Sequence, residues 1–307
     1  MSRARLFSAN LGLVALVLLD VPLVVAAIHH GRGHGGELPS ASAAAQAPVQ
    51  PSIAPPTPET AAVTARRPRQ PVMLSFSGPL SGWRVHPGCG RAPHLTATTD
   101  GGKHWRALQT PAAHVLRIVQ TGATTGWMVG ADAQCVPAFL STSDGGATWT
   151  AGTGLGEAWV VIDQRLRLPN GTTTAPCGPN EQLGAVAPAS VTLALVACSS
   201  SLLVTTDGGA SWNPVGRFPQ GGQAVAIGMV PGSAGKGVAL LTGSKGCPAG
   251  LAVAATDDGG DRWHSGGCLD ALRPPAAVSL AVDGSGYLLA AGGAARTMDA
   301  GRTWTSS

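Results

Sequence analysis

Charge is what this 307-residue chain has least of: 12% of its residues are Asp, Glu, Lys or Arg, against 44% hydrophobic. Aromatic residues are scarce at 4%, with a single tyrosine, Tyr287. The formal net charge of +4 is small, and no basic run is interleaved with aromatics, so a nucleic-acid partner is not expected. There is no Cys-x-x-Cys pair, no His-Glu-x-x-His, no phosphate-cradling P-loop and no Gly-x-Ser-x-Gly elbow. His86, His94, His104, His114 and His264 are spaced without a metal pattern, so neither a metal nor a cofactor is expected. What is abundant is 43 Gly and 24 Pro, the composition of a turn-rich all-β body long enough for a sizeable core.

One stretch recurs five times, as Thr-x-Asp-x-Gly-x-x-Trp without a gap. Its copies are Thr98, Asp100, Gly102, Trp105; Thr142, Asp144, Gly146, Trp149; Thr205, Asp207, Gly209, Trp212; Thr256, Asp258, Gly260, Trp263; and Thr297, Asp299, Gly301, Trp304. Each follows a short apolar run, such as Ser201 to Val204 or Leu251 to Ala254, and precedes another strand-like segment. That is a hairpin signature. The Asp can accept from backbone N–H groups two or three residues on, and the Gly can take positive φ. The Thr hydroxyl can add a local bond, and the Trp is placed to bury its ring. Five carboxylates invite a catalytic reading, yet one active site does not need five copies of one turn.

These residues resemble the Asp-box, or bacterial neuraminidase repeat, which in proteins that carry it marks the hairpin between the third and fourth strands of a β-propeller blade. Gly82-Trp83-Arg84-Val85 and Gly126-Trp127-Met128-Val129 precede the first two copies. The combination looks like the photosystem II stability/assembly factor type of propeller, and the resemblance spans the chain after about residue 72. It implies an all-β propeller of five four-stranded blades, with room for a sixth or more. The tryptophan intervals from Trp105 are 44, 63, 51 and 41 residues. Propeller repeats run to about 40–50 residues, so the 63-residue interval is long. The surplus of the long interval holds Trp159 to Ile162, Arg165 to Leu168 and the turn-like Pro169-Asn170-Gly171, an inserted hairpin or a blade lacking its repeat turn.

Ahead of this body, Arg3 and Arg5 precede an apolar run from Leu11 to Ile28, broken only by Asp20 and Pro22. Residues 1–30 therefore read as a signal anchor holding the body outside the cytoplasmic membrane, or as a signal peptide cleaved near Val25-Ala26-Ala27 to release a secreted protein. Residues 31–71, rich in Ala, Pro, Ser and Thr, read as a disordered linker. Residues 72–307 are the expected propeller. The export signal makes disulfides the expectation for the six cysteines, in the sequential pairs Cys89–Cys135, Cys177–Cys198 and Cys247–Cys268.

Three functions compete. The first is a binding or scaffold module for a protein or glycan partner. The second is an assembly or stability factor for a membrane protein complex. The resemblance implies an arginine-lined face that holds a carboxyl-bearing segment, with Arg84, Arg91, Arg106, Arg117, Arg165 and Arg167 as candidates. The third is a sialidase-like hydrolase, a class that uses a tyrosine nucleophile. Tyr287 sits in an apolar run and reads as a core strand, and the body holds only two glutamates, Glu157 and Glu181. No catalytic residue is assigned.

Overall fold

The computed structural model describes residues 72–156 and 158–306. The expected membrane segment, the linker and Glu157 lie outside the described residues. No helix occurs among them; they form six antiparallel sheets.

Blade 1 is β1 (Met73–Phe76), β2 (Gly82–Val85), β3 (Thr96–Thr98) and β4 (Arg106–Ala107). Blade 2 is β5 (His114–Gln120), β6 (Gly126–Ala131), β7 (Pro137–Thr142) and β8 (Thr150–Ala151). Blade 3 has three strands: β9 (Val160–Ile162), β10 (Arg165–Arg167) and β11 (Thr173–Thr174). Blade 4 is β12 (Leu183–Pro188), β13 (Ala194–Cys198), β14 (Leu202–Thr205) and β15 (Asn213–Pro214). Blade 5 is β16 (Gln223–Met229), β17 (Gly237–Thr242), β18 (Leu251–Thr256) and β19 (His264–Leu269). Blade 6 is β20 (Arg273–Leu280), β21 (Gly286–Ala291), β22 (Gly293–Thr297) and β23 (Thr305–Ser306). Each sheet runs in chain order from its first strand to its last.

The first strands of the blades touch in the order β1, β5, β9, β12, β16, β20, and β20 returns to β1. The described residues form a six-bladed β-propeller. Five blades have the expected four strands. The long tryptophan interval is a reduced sixth blade, short by one strand and without a repeat turn.

Radial stacking buries both faces of a middle strand, so such strands lose the alternation of a one-sided sheet. Every residue of β13 (ALVAC) and β18 (LAVAAT) is buried. Small side chains let blades approach one another, which explains a largely hydrophobic chain with few aromatics. Three disulfides, Cys89–Cys135, Cys177–Cys198 and Cys247–Cys268, join the expected pairs, the first tying the β2–β3 loop of blade 1 to the β6–β7 loop of blade 2.

No strand is shared between the first and last blades. Side chains close the seam: Phe76 stacks on Tyr287 with ring centroids 4.7 Å apart, and Trp105 meets Tyr287 edge-on at 6.2 Å. The Phe76 N–H donates to Ser279 Oγ at 2.9 Å, and Arg296 donates to the carbonyls of Asp100 and Gly101.

Candidate functional site

The five repeat turns share one geometry. In each, the Thr hydroxyl donates to Asp Oδ1: Thr98 to Asp100 at 2.8 Å, Thr142 to Asp144 at 2.7 Å, Thr205 to Asp207 at 2.8 Å, Thr256 to Asp258 at 2.9 Å and Thr297 to Asp299 at 2.7 Å. The same Thr oxygen accepts the N–H of Gly102, Gly146, Gly209, Gly260 or Gly301 at 2.8–3.0 Å. Oδ1 also accepts the N–H of the residue four places on: His104, Thr148, Ser211, Arg262 or Thr303. The expected reach of two or three residues thus extends to four, and the N–H groups three places on, of Ala147, Ala210 and Arg302, also act on Asp144, Asp207 and Asp299. The turn is wider because two successive residues take positive φ, as at Gly208 (76°) and Gly209 (94°). In the last copy Ala300 takes the first of these positions at φ 57°, a conformation that costs a non-glycine residue about 1–2 kcal/mol.

A further bond joins each turn to the inner hairpin of its own blade. Gly101 N–H donates to Leu80 O, Gly145 to Thr124 O, Gly208 to Thr192 O, Gly259 to Gly235 O and Ala300 to Gly284 O, at 2.6–2.9 Å. Backbone meets backbone here, so no residue type announces it. The tryptophans pack on the preceding blade: Trp149 against Trp83, Trp212 against Trp159 and Trp105 against Tyr287. Trp263 is 5% exposed and meets Phe218. Trp105 and Trp304 donate Nε1–H to Gly102 O and Gly301 O, while the indole nitrogens of Trp149, Trp212 and Trp263 have no partner among the described residues.

Each carboxylate is bonded within its own turn, and the five lie in five different blades. The Thr148 hydroxyl and N–H hold Asp144 down at about 2. The Ser211 hydroxyl and N–H do the same for Asp207, and the His104 N–H and ring for Asp100, each well below the usual carboxylate range. At Asp258 and Asp299 burial pushes upward, but the N–H of Arg262 and the hydroxyl of Thr303 lead the bonds that outweigh it. A depressed carboxylate stabilises the fold above its unfolded value of roughly 4, and that contribution is lost as pH falls through the folded value. Thermal melts of the full chain from pH 7 to 2 are expected to show the melting temperature falling steeply below about pH 4, and Asp144→Asn to make that acid limb shallower.

Of the six candidate arginines, the structure groups two. Arg84 on β2 lies 4.4 Å from the centroid of Trp105, a cation–π contact. Arg91 sits in the β2–β3 loop with His86 and His94, whose rings are 6.5 Å apart and edge-on. Burial, then His94, Arg84 and Arg91, pull the His86 pKa below its ordinary value. No carboxylate acts on it, and among the described residues none of these groups is in an ion pair. The loop is fixed from three sides: by Cys89–Cys135, by Gly88 N–H donating to Val115 O at 2.8 Å, and by His114 Nδ1–H donating to Arg91 O at 2.7 Å. The remaining candidates do not join them. Arg106 is exposed on β4, Arg117 lies on the inner strand β5, and Arg165 and Arg167 lie on β10, where Arg167 donates to the carbonyls of Gly156, Ala158 and Leu168. The sequence reading placed no histidine in this group, although Gly82-Trp83-Arg84-Val85-His86 brings one within two residues of Arg84.

No family model and no curated protein matches the sequence. Among solved structures the chain is similar to YCF48 bound to D1 peptide, at 19% identity over 77% of this chain and 80% of that one, with a TM-score of 0.42. It is similar to YCF48 from Cyanidioschyzon merolae at 20% identity, over 76% of this chain and 70% of that one, with a TM-score of 0.32. It is also similar to the GH74 xyloglucanase from Xanthomonas campestris at 16% identity, over 76% of this chain but 38% of that one, with a TM-score of 0.30. These include a peptide complex and a glycoside hydrolase, so the chemistry has to be read from this chain's own residues.

Two side chains bear on a hydrolase reading. Tyr287 is 4% exposed and stacked on Phe76, as a core residue is. Glu181 accepts from the hydroxyls of Ser200 and Ser201, which with Phe218 and Gln223 line a cavity of about 320 Å³. The hydroxyls of Ser200 and Ser201 hold its carboxyl below the usual range, the reverse of what a general acid needs. Among the described residues one group has metal-ligand side chains together, Cys247, Cys268 and Asp270, and its two sulfurs are joined in a disulfide that leaves no thiolate.

Proposed function

We propose that this propeller is a binding module that holds an acidic or carboxyl-bearing protein segment against Arg84, His86, Arg91 and His94. The supporting observation is a cation cluster with no carboxylate of its own, on a loop pinned before any partner arrives. Preorganisation lowers the ordering cost of binding, and charge-assisted bonds from a guanidinium to a carboxylate are among the stronger ones. The five repeat carboxylates are committed to their turns, so binding rather than catalysis is the reading they leave. In the same reading residues 11–28 tether the ring outside the cytoplasmic membrane, and the three disulfides support an oxidising compartment. A tethered module of this kind serves as an assembly factor when its partner is a subunit of a membrane complex. Crosslinking in native membranes separates that role from a soluble or glycan partner.

The test is titration of the full chain with a glutamate-rich peptide bearing a free C-terminal carboxylate. Arg84→Gln and Arg91→Gln are each expected to weaken binding about tenfold, since a hydrogen bond to a charged group contributes about 1.5–3 kcal/mol. Because the free His86 has a lowered pKa, a bound carboxylate draws a proton to it, and binding tightens as pH falls from 7 toward 5.5. Equal affinity in the double variant, or no binding by the parent, overturns the proposal.

A further inference from the structure

The inner strand of blade 2 carries a charge where its neighbours do not. Arg117 follows a register shift after Val115 and pairs with Val129, three residues before the end of β5 at Gln120. The same step in blades 1, 4, 5 and 6 is Met73, Ala185, Ala226 and Ala277. The repeat supplies an apolar residue there four times and a guanidinium once.

First strands surround the axis of a propeller, where a central channel runs. Arg117 is half-buried on this inner strand, with part of its surface open. Its Nε is buried without a partner, and among the described residues no carboxylate pairs with it. Burial alone pulls its pKa down to about 10, with no charged neighbour contributing, so it stays a cation at neutral pH. Next to it in the strand, the Ile118 N–H donates to the Met73 thioether at 3.4 Å, a weak acceptor. A buried guanidinium N–H without an acceptor is destabilising, and an oxyanion accepting it removes that cost.

We propose that the central channel of the propeller holds a small oxyanion, of carboxylate or phosphate type, on Arg117. This site is separate from the Arg84–Arg91 surface: it lies on β5, not on the β2–β3 loop. The anion comes from solution, or it is the terminal carboxylate of a bound chain.

Thermal melts of the full chain in phosphate, acetate or chloride at matched ionic strength test the site. Phosphate or acetate is expected to raise the melting temperature saturably over chloride, by roughly 5–10 °C at a hundredfold excess over Kd. Arg117→Gln is expected to abolish the rise and to melt no earlier than the parent in chloride. Arg91→Gln is expected to keep the rise, so failure of the surface reading is told apart from failure here. If only the glutamate-rich peptide stabilises, and Arg117→Gln removes that effect, the oxyanion is the carboxylate of a bound chain. An equal response in the parent and Arg117→Gln, or no response to phosphate, acetate or the peptide, overturns the proposal. Should Arg117→Gln fold poorly, the Arg117 Nε–H resonance of the unsubstituted protein, followed through a phosphate titration, decides: a saturable shift supports the site and a fixed position refutes it.

Discussion

Tyr287→Ala is expected to open the ring where it closes. The side chain is 4% exposed and joins blade 6 to blade 1 through Phe76 and Trp105. Every other pair of neighbouring blades is continuous in sequence; this pair is held by side chains and a few hydrogen bonds between residues far apart in the chain, such as Phe76 to Ser279 with a separation of 203. Removing a buried aromatic ring costs about 3–5 kcal/mol, and in a domain of this size that lowers the melting temperature by on the order of 10 °C. Tyr287→Phe keeps the ring and its volume, so a cost under about 1.5 kcal/mol is expected. It is also expected to leave peptide binding unchanged. A tyrosine nucleophile would show the opposite pattern, with activity lost in the phenylalanine variant at full stability. Calorimetry and peptide titration of the two variants separate these outcomes.

The second large effect is Thr205→Val. Thr205 is 0% exposed, and its hydroxyl takes the buried Gly209 N–H at 2.9 Å while donating to Asp207. Valine fills the same volume but leaves that N–H unpaired, at a cost of about 1–3 kcal/mol. The turn is also fastened to the inner hairpin through Gly208 and Thr192, so its loosening reaches the core of blade 4. A fall in melting temperature on the order of 5 °C is expected, with the peptide affinity unaltered. Because the five turns share their bonding, Thr142→Val is expected to behave alike in blade 2.

The turns were legible because their chemistry is local: Thr, Asp and Gly within five residues make bonds that sequence spacing displays. Strand positions followed from the apolar runs between them, as at Leu251 to Ala254, which falls within β18. Blade 3 was harder, since it lacks the repeat and keeps only β9, β10 and β11, with Leu166 at its centre 0% exposed. The aspartate reaches one residue further than spacing alone suggested, because an ordinary Asx-turn spans two residues and a pair of positive-φ positions lengthens this one to four. The link from each turn to its inner hairpin left no trace at all: the accepting carbonyls belong to Leu80, Thr124, Thr192, Gly235 and Gly284, which share no side-chain chemistry. The candidate arginines could be named from sequence but not sorted. Arg84 and Arg91 meet through His86, whereas Arg117 is carried away on an inner strand, and only the blade geometry distinguishes the two.

The claim everything else rests on is that the repeat carboxylates shape turns while recognition lies on the opposite strand connections. Asp207→Asn in the full chain, melted and titrated with the glutamate-rich peptide in the same buffer at pH 7, tests it most directly. The expected result is an earlier melt with peptide affinity within about twofold of the parent, because only the bonds to Thr205 and Ser211 are weakened. An unchanged melt with binding abolished would contradict it, since Asp207 would then be meeting a ligand and not holding a turn.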